Sequence, residues 1–255
     1  MTPASSEVFV GADLLFPDHL VKLQEALGDF MKKLLFLLVS LGLLASGANA
    51  QYLESETVNP WIDEVKARNP VAYAILNDHM PETRRIDRMF QAGNDDAAQR
   101  EMVAVVWKYR DRAFSRASDA AAIEVVRKTN EIIDFLSKNY PQGCLELLRQ
   151  QLSPKTLSIL EETQIYPRSL EAQRLAYEDG KNRPPRTRMD IPTMYDVVTN
   201  DLGVSDAEIH MIVKPESIPA AQLCSIAKKN LNIDAIRESQ RGQYARANIS
   251  SKRAQ

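Results

Sequence analysis

The stretch 118-SDAAAIEVVRKTNEIIDFLSKNY-140 decides the fold class. Ala122, Val125, Val126, Thr129, Ile133, Leu136 and Tyr140 recur at the spacing that places them on one face of an α-helix. Ser118 and Asp119 stand where a helix needs side-chain acceptors for its first free N–H groups. Glu124 precedes Lys128, and Asp134 precedes Lys138, each by four residues. That order favours ion pairs along the exposed face. A long helix with one apolar face needs other elements to cover it.

The flanking sequence supplies more helices rather than strands. Upstream, Met102, Val105, Val106, Tyr109 and Ala113 form a stripe with Val103, Trp107 and Phe114 beside it. This wide face predicts a central helix, recapped at Gly93-Asn94-Asp95-Asp96. Asn59-Pro60, Asn69-Pro70 and Ser153-Pro154 pair an N-cap residue with a proline at the first helical position. Pro81 opens another helix, and Pro167 reads as a stop. Gly180 reads as a C′ glycine ending a helix from about Ser169. Asp190 caps a helix reaching Gly203, and Ser205-Asp206-Ala207-Glu208 spells a capping box. The last helix predicted runs from Ser217 to about Asn230. No stretch alternates apolar and polar residues for long enough to form a strand.

The expected fold is therefore all-α, an irregular bundle of eight to ten short helices in a single domain over residues 51–236. The segment 181-KNRPPRTR-188 reads as a solvated linker between a larger N-terminal and a smaller C-terminal part. Residues 237–255 are polar and basic, and are expected to form a disordered tail.

A second pattern concerns targeting. Met31-Lys32-Lys33 precedes an apolar run from Leu34 to Leu44, and small residues follow. Ala48 and Ala50 supply an A-x-A cleavage pattern that leaves Gln51 as the new first residue. Residues 31–50 thus read as a signal peptide, too short in its apolar part to span a bilayer comfortably. Residues 1–30 carry Glu7, Asp13, Asp18, Glu25 and Asp29 against Lys22, the wrong sign for an export signal. They read as lying upstream of the true start at Met31. The expected location is periplasmic or secreted, with no transmembrane segment after cleavage.

Export gives the two cysteines meaning. Cys144 and Cys224 each fall on an apolar helical stripe, and an oxidising compartment favours a disulfide between them. No C-x-x-C is present, so a catalytic redox pair is not indicated.

Chemistry is sparsely marked. The whole chain has a formal net charge of −2, and cations and acids balance after residue 50, which gives no footprint for nucleic acid. His79 and His210 are the histidines beyond the signal, and no nucleophile elbow, zinc helix, P-loop or dinucleotide fingerprint accompanies them. His79-Met80 and His210-Met211 offer copper-compatible atoms, but adjacent helical residues diverge by about 100°. Helix-end histidines beside core methionines are the plainer reading. Asp95-Asp96 and Glu161-Glu162 read as solvated acids. No cofactor or metal is expected. The sequence favours a non-enzymatic protein-binding module such as an inhibitor, immunity or scaffold protein, with a partner it does not specify. The alternatives are an envelope hydrolase with a cleft assembled from scattered residues, and a small-ligand or copper binder.

Overall fold

The computed structural model describes residues 60–149, 152–212 and 218–250. Ala48, Ala50 and Gln51, with the rest of the signal segment, lie outside the described residues. Among the described residues every regular element is helical.

Three short helices open the fold: α1 (Pro60–Arg68), α2 (Pro70–Asp78) and α3 (Met80–Gln91). Single residues, Asn69 and His79, separate them. Asn69 Oδ1 accepts the Ala72 N–H at 3.0 Å, so one residue ends one helix and caps the next. The two longest helices follow, α4 (Asp95–Phe114) and α5 (Asp119–Asn139). Ser118 caps α5 through its hydroxyl, which accepts the Ala121 N–H at 3.3 Å. Then come α6 (Pro141–Arg149), α7 (Pro154–Glu162) and α8 (Ile165–Gly180). The C-terminal part holds α9 (Ile191–Asp196), a π-helical turn at Val197–Asp201, α10 (Asp206–Ile212), α11 (Ala220–Asn230), a 3₁₀ turn at Ile233–Ala235 and α12 (Glu238–Ile249).

Twelve α-helices are thus described where the sequence suggests eight to ten. Proline at the first helical turn restarts α2 and α3 after a single residue, which multiplies short helices. The capping box is formed as expected: Ser205 N–H donates to Glu208 Oε2 at 2.8 Å, and Glu208 N–H donates to Ser205 Oγ at 3.3 Å.

The hub is α5. Ala122, Val125, Val126, Thr129, Ile132, Ile133 and Leu136 are buried along it, and α6, α8, α11 and α12 all pack on it. Its outer face carries Lys138 on Asp134 at 2.6 Å and Lys128 on Glu124 at 3.5 Å. The wide-faced helix α4 organises the N-terminal half instead, packing on α2, α3 and α8. Its face is wide partly because Arg110 is buried there, stacked 3.6 Å from the Trp107 ring centroid. Arg110 Nη2 donates to Asp111 Oδ1 at 3.0 Å, while Nε and Nη1 have no partner among the described residues.

The disulfide is present. Cys144 on α6 and Cys224 on α11 are bonded, with Cα atoms 6.2 Å apart and both side chains buried. It ties the two sides of the 181–188 segment together in one core.

Two expectations require correction. The tail is helical: α12 lies along α5 and buries Tyr244, Ala245 and Ile249. Its cations are committed within the fold. Arg246 pairs with Asp119. Arg237 pairs with Asp196 and Asp201. Arg241 donates to the carbonyls of Asp234 and Ile236. The few large apolar residues of this segment suffice because polar partners wait on α5 and α11. Residues 251–255 lie outside the described residues.

The second correction concerns α8. Pro167 lies within its first turn, where a missing N–H costs nothing, rather than stopping the preceding helix. Gln164, at φ 57°, makes the break instead. Gly180 belongs to the helix, not to a left-handed cap. A Cβ there would stand 2.0 Å from the Ala113 carbonyl oxygen, so the glycine lets α8 touch the backbone of α4.

Candidate functional site

The close approach of α4 and α8 at Gly180 opens a cleft beside it, where the end of α2 meets both. Its volume is about 340 Å³. Asp78 comes from the last residue of α2, and His79 from the single residue before α3. Tyr109, Arg112 and Ala113 come from successive turns of α4. Tyr177 lies on α8, with Lys181 and Asn182 just beyond it.

The floor is aromatic. The imidazole of His79 stacks on the Tyr109 ring with centroids 3.3 Å apart and planes 13° apart. Neither ring nitrogen of His79 has a hydrogen-bond partner among the described residues. The Tyr109 hydroxyl donates to Glu82 Oε1, and Lys108 Nζ approaches the ring face at 4.7 Å. Tyr177 lies opposite and is buried, and its hydroxyl donates to Asp78 Oδ2 at 3.1 Å. Lys181 Nζ donates to the same oxygen at 2.6 Å and pairs with Glu178 at 2.8 Å.

These contacts set the protonation states. Partial burial pushes the His79 imidazole below its ordinary value, assisted by Lys108 and Arg112 and opposed by Glu82 and Asp78. It is therefore neutral at pH 7, with one ring nitrogen able to accept. The Tyr109 hydroxyl holds the Glu82 carboxyl below the usual carboxylate range. Burial, together with Asp78, pushes the Tyr177 phenol upward, so it remains a donor. Hydrogen bonds to Asp78 and Glu178 keep Lys181 charged. Arg112 differs from these. Its guanidinium is exposed at the cleft and has no hydrogen bond or ion pair among the described residues.

The arrangement offers a neutral acceptor, an uncommitted cation, an amide at Asn182 and a flat aromatic surface. It offers no serine, threonine or cysteine among the lining residues, and the Tyr109 and Tyr177 hydroxyls are engaged by Glu82 and Asp78.

Of the residues singled out in the sequence, His79 and the first two of the 181–188 segment, Lys181 and Asn182, reach this cleft. His210 is on α10, exposed, with Nδ1 donating to the Asp206 carbonyl at 2.7 Å. Met80 is exposed, and Met211 Sδ accepts from Gln222 Nε2 at 3.1 Å. The two His-Met pairs therefore belong to separate places in the fold. Asp95 and Asp96 open α4 on the surface, and Glu162 accepts from Ser158 at 2.7 Å. The basic linker is held internally: Arg183 pairs with Asp179 at 2.6 Å and Arg186 with Asp119 at 2.9 Å. Among the described residues no group of three metal-ligating side chains is present, and no helix is long and apolar enough to cross a membrane.

Sequence reading missed Tyr109, Arg112 and Tyr177 as site residues. Tyr109 fits the apolar stripe of α4, and Tyr177 fits a buried helical face, so neither stands out. Lys181 and Asp78 are 103 positions apart and are joined only by the fold. Comparison with protein-family models, curated proteins and solved structures gives no match.

Proposed function

We propose that this chain is an exported helical protein, released by cleavage between Ala50 and Gln51, that binds a small polar ligand in the His79 cleft. The observation carrying the binding role is the pairing of two uncommitted groups in one concave site. The His79 ring nitrogens and the Arg112 guanidinium both line the cleft without partners among the described residues. Accessible polar groups converging in one concavity are what a polar ligand site presents. A volume of about 340 Å³ suits a metabolite-sized molecule rather than a polymer. Export rests on the ordered n-region, apolar run and A-x-A site from Met31 to Ala50. The buried Cys144–Cys224 bond is in keeping with an oxidising compartment.

Binding is preferred to hydrolysis because the acid–base groups beside His79 are engaged with one another, Asp78 by Tyr177 and Lys181 and the Tyr109 hydroxyl by Glu82. The large apolar side chains exposed among the described residues are Met80 and Leu175, which offer little to a protein partner. The protein-binding role is the second reading. One experiment addresses both. The gene is expressed from Met31, and the periplasmic fraction is analysed by native mass spectrometry without reductant. The expected species is Gln51–Gln255 less two hydrogens, carrying a small adduct that Arg112→Gln removes. A kilodalton-scale adduct indifferent to that substitution would favour the protein-binding reading. A chain retained in the cytoplasm with residues 31–50 attached would overturn export.

A further inference from the structure

The cleft's chemistry also limits what kind of ligand it takes, an inference that rests on the binding role above. We propose that the ligand is a small anion, carrying a carboxylate or a phosphate, gripped by Arg112 and Lys181 while His79 contributes a ring nitrogen.

The charges facing His79 decide this. From α2 comes Asp78, and from α3 comes Glu82. From α4 come Lys108, Tyr109 and Arg112, from α8 come Tyr177 and Glu178, and Lys181 follows just beyond α8. Most of these are already spent on one another. Glu82 is occupied by the Tyr109 hydroxyl, and Asp78 by Tyr177 and Lys181. Glu178 lies against Lys181 at 2.8 Å. The acids are thus satisfied and the cation Arg112 is not. Its planar fork of donors matches the paired oxygens of a carboxylate or phosphate. Lys181 has three donors and uses two on Asp78 and Glu178, leaving one for a ligand oxygen. Asn182 adds an amide at the rim.

A cationic or purely neutral ligand fits less well. A cation would have to displace Lys181 from Asp78 and lie beside Arg112. A neutral ligand would leave the guanidinium without its counter-charge. An anion close to His79 also favours the protonated ring, so its binding takes up a proton and tightens as pH falls through the range where His79 titrates.

The test follows the His79 ring resonances by NMR in the full, oxidised chain. The titrants are sodium phosphate, sodium acetate and, as a neutral control, glycerol. Ionic strength is held constant, and the series is run at about pH 5 and about pH 8, because His79 titrates below the ordinary histidine value. At least one anion should shift the His79 resonances saturably, more tightly at the lower pH, while glycerol does not. The anion that acts at lower concentration tells a phosphate-bearing ligand from a carboxylate-bearing one. Arg112→Gln, an exposed change with no internal contact to lose, should weaken the response about tenfold or more. Equal responses from wild type and Arg112→Gln would overturn the anion inference. So would silence from both anions. A library of neutral polar fragments then separates the two levels of the argument. Neutral binders at the His79 resonances would leave the cleft a binding site while removing its anion preference. Silence from that library as well would remove the binding role too.

Discussion

Replacing Gly180 with alanine sets two effects against each other, and the structure says which wins. Gly180 is helical, and alanine is better than glycine in a helix interior by about 1 kcal/mol. If helix propensity alone decided, the substitution would stabilise the protein. The new Cβ, however, would lie 2.0 Å from the Ala113 carbonyl oxygen, 2.8 Å from its carbon and 3.0 Å from the Ala117 nitrogen. All three are backbone atoms, so no side chain can swing aside. Carbon–oxygen contacts settle near 3.3 Å, so α8 must retreat from α4 by roughly 1 Å. Overpacking of this kind costs about 1–3 kcal/mol. The upper part of that range applies because α8 is also anchored by the Ser118 N–H on Asp179 at 2.6 Å and by Tyr177 on Asp78. The expected net loss is about 2 kcal/mol after the propensity gain is subtracted. Thermal unfolding should show Tm lower by about 4–8 °C. The urea midpoint should fall with the m-value unchanged. A variant as stable as the wild type, or more so, would refute the close approach of the two helices and the cleft geometry built on it.

Other outcomes follow from the same contacts. Replacing Cys144 and Cys224 with alanine opens an 80-residue loop and should cost up to about 4.5 kcal/mol in the chain-entropy model, with reductant giving the same loss in the native chain. Denaturant curves with and without dithiothreitol measure it. Asp111→Asn strands the buried Arg110 charge and should cost about 3–5 kcal/mol, whereas replacing both partners with apolar residues, Arg110→Met with Asp111→Leu, should cost less. A larger loss from the double substitution than from Asp111→Asn alone would contradict that account. Tyr244→Phe removes the hydroxyl that donates to Asn230 O at 3.0 Å and Oδ1 at 2.8 Å, and should cost about 1–3 kcal/mol. A true disordered tail would show no change.

Acid should unfold the protein through carboxylates held low in the native state. Burial works against ionisation of Glu146 and Asp179, but other contacts overcome it. Glu146 accepts from Thr156 and Ser153, and Asp179 accepts from Ser118 and Arg183. A depressed native pKa stabilises fully above the unfolded value, about 4.5 for glutamate and 3.8 for aspartate, and is lost as pH falls through the native value. A Tm that holds from neutrality to about pH 5 and drops below it is the expected profile in a calorimetric series.

Much of the helical architecture can be read from local chemistry. Asn69, Ser118, Ser153 and Asp190 all accept the N–H groups that capping residues are chosen to satisfy. The apolar face of α5 is buried as its spacing implies. Those features depend on residues within a few positions of one another. The features that escaped depend on distant partners. Nothing local to residues 238–249 announces that Asp119 will receive Arg246, or that Asn230 will receive Tyr244. Gly180 resembles a helix terminator until Ala113 is known to press against it. The candidate site suffers most, because Tyr109 and Tyr177 look like core residues in their own helices. His79 was visible only as one of few histidines, and Arg112 as one of many arginines.

The docking of α12 on α5 has a consequence for how the chain comes into being. The hub helix is made well before α12, which supplies part of its cover. Until then α5 presents an uncovered stripe, and Cys144 must wait for Cys224 before it can be oxidised correctly. An order of emergence that runs from the amino end cannot complete this core piecemeal. Helix α12 therefore works as a closing latch. Any stop before or within it leaves the hub missing part of its cover.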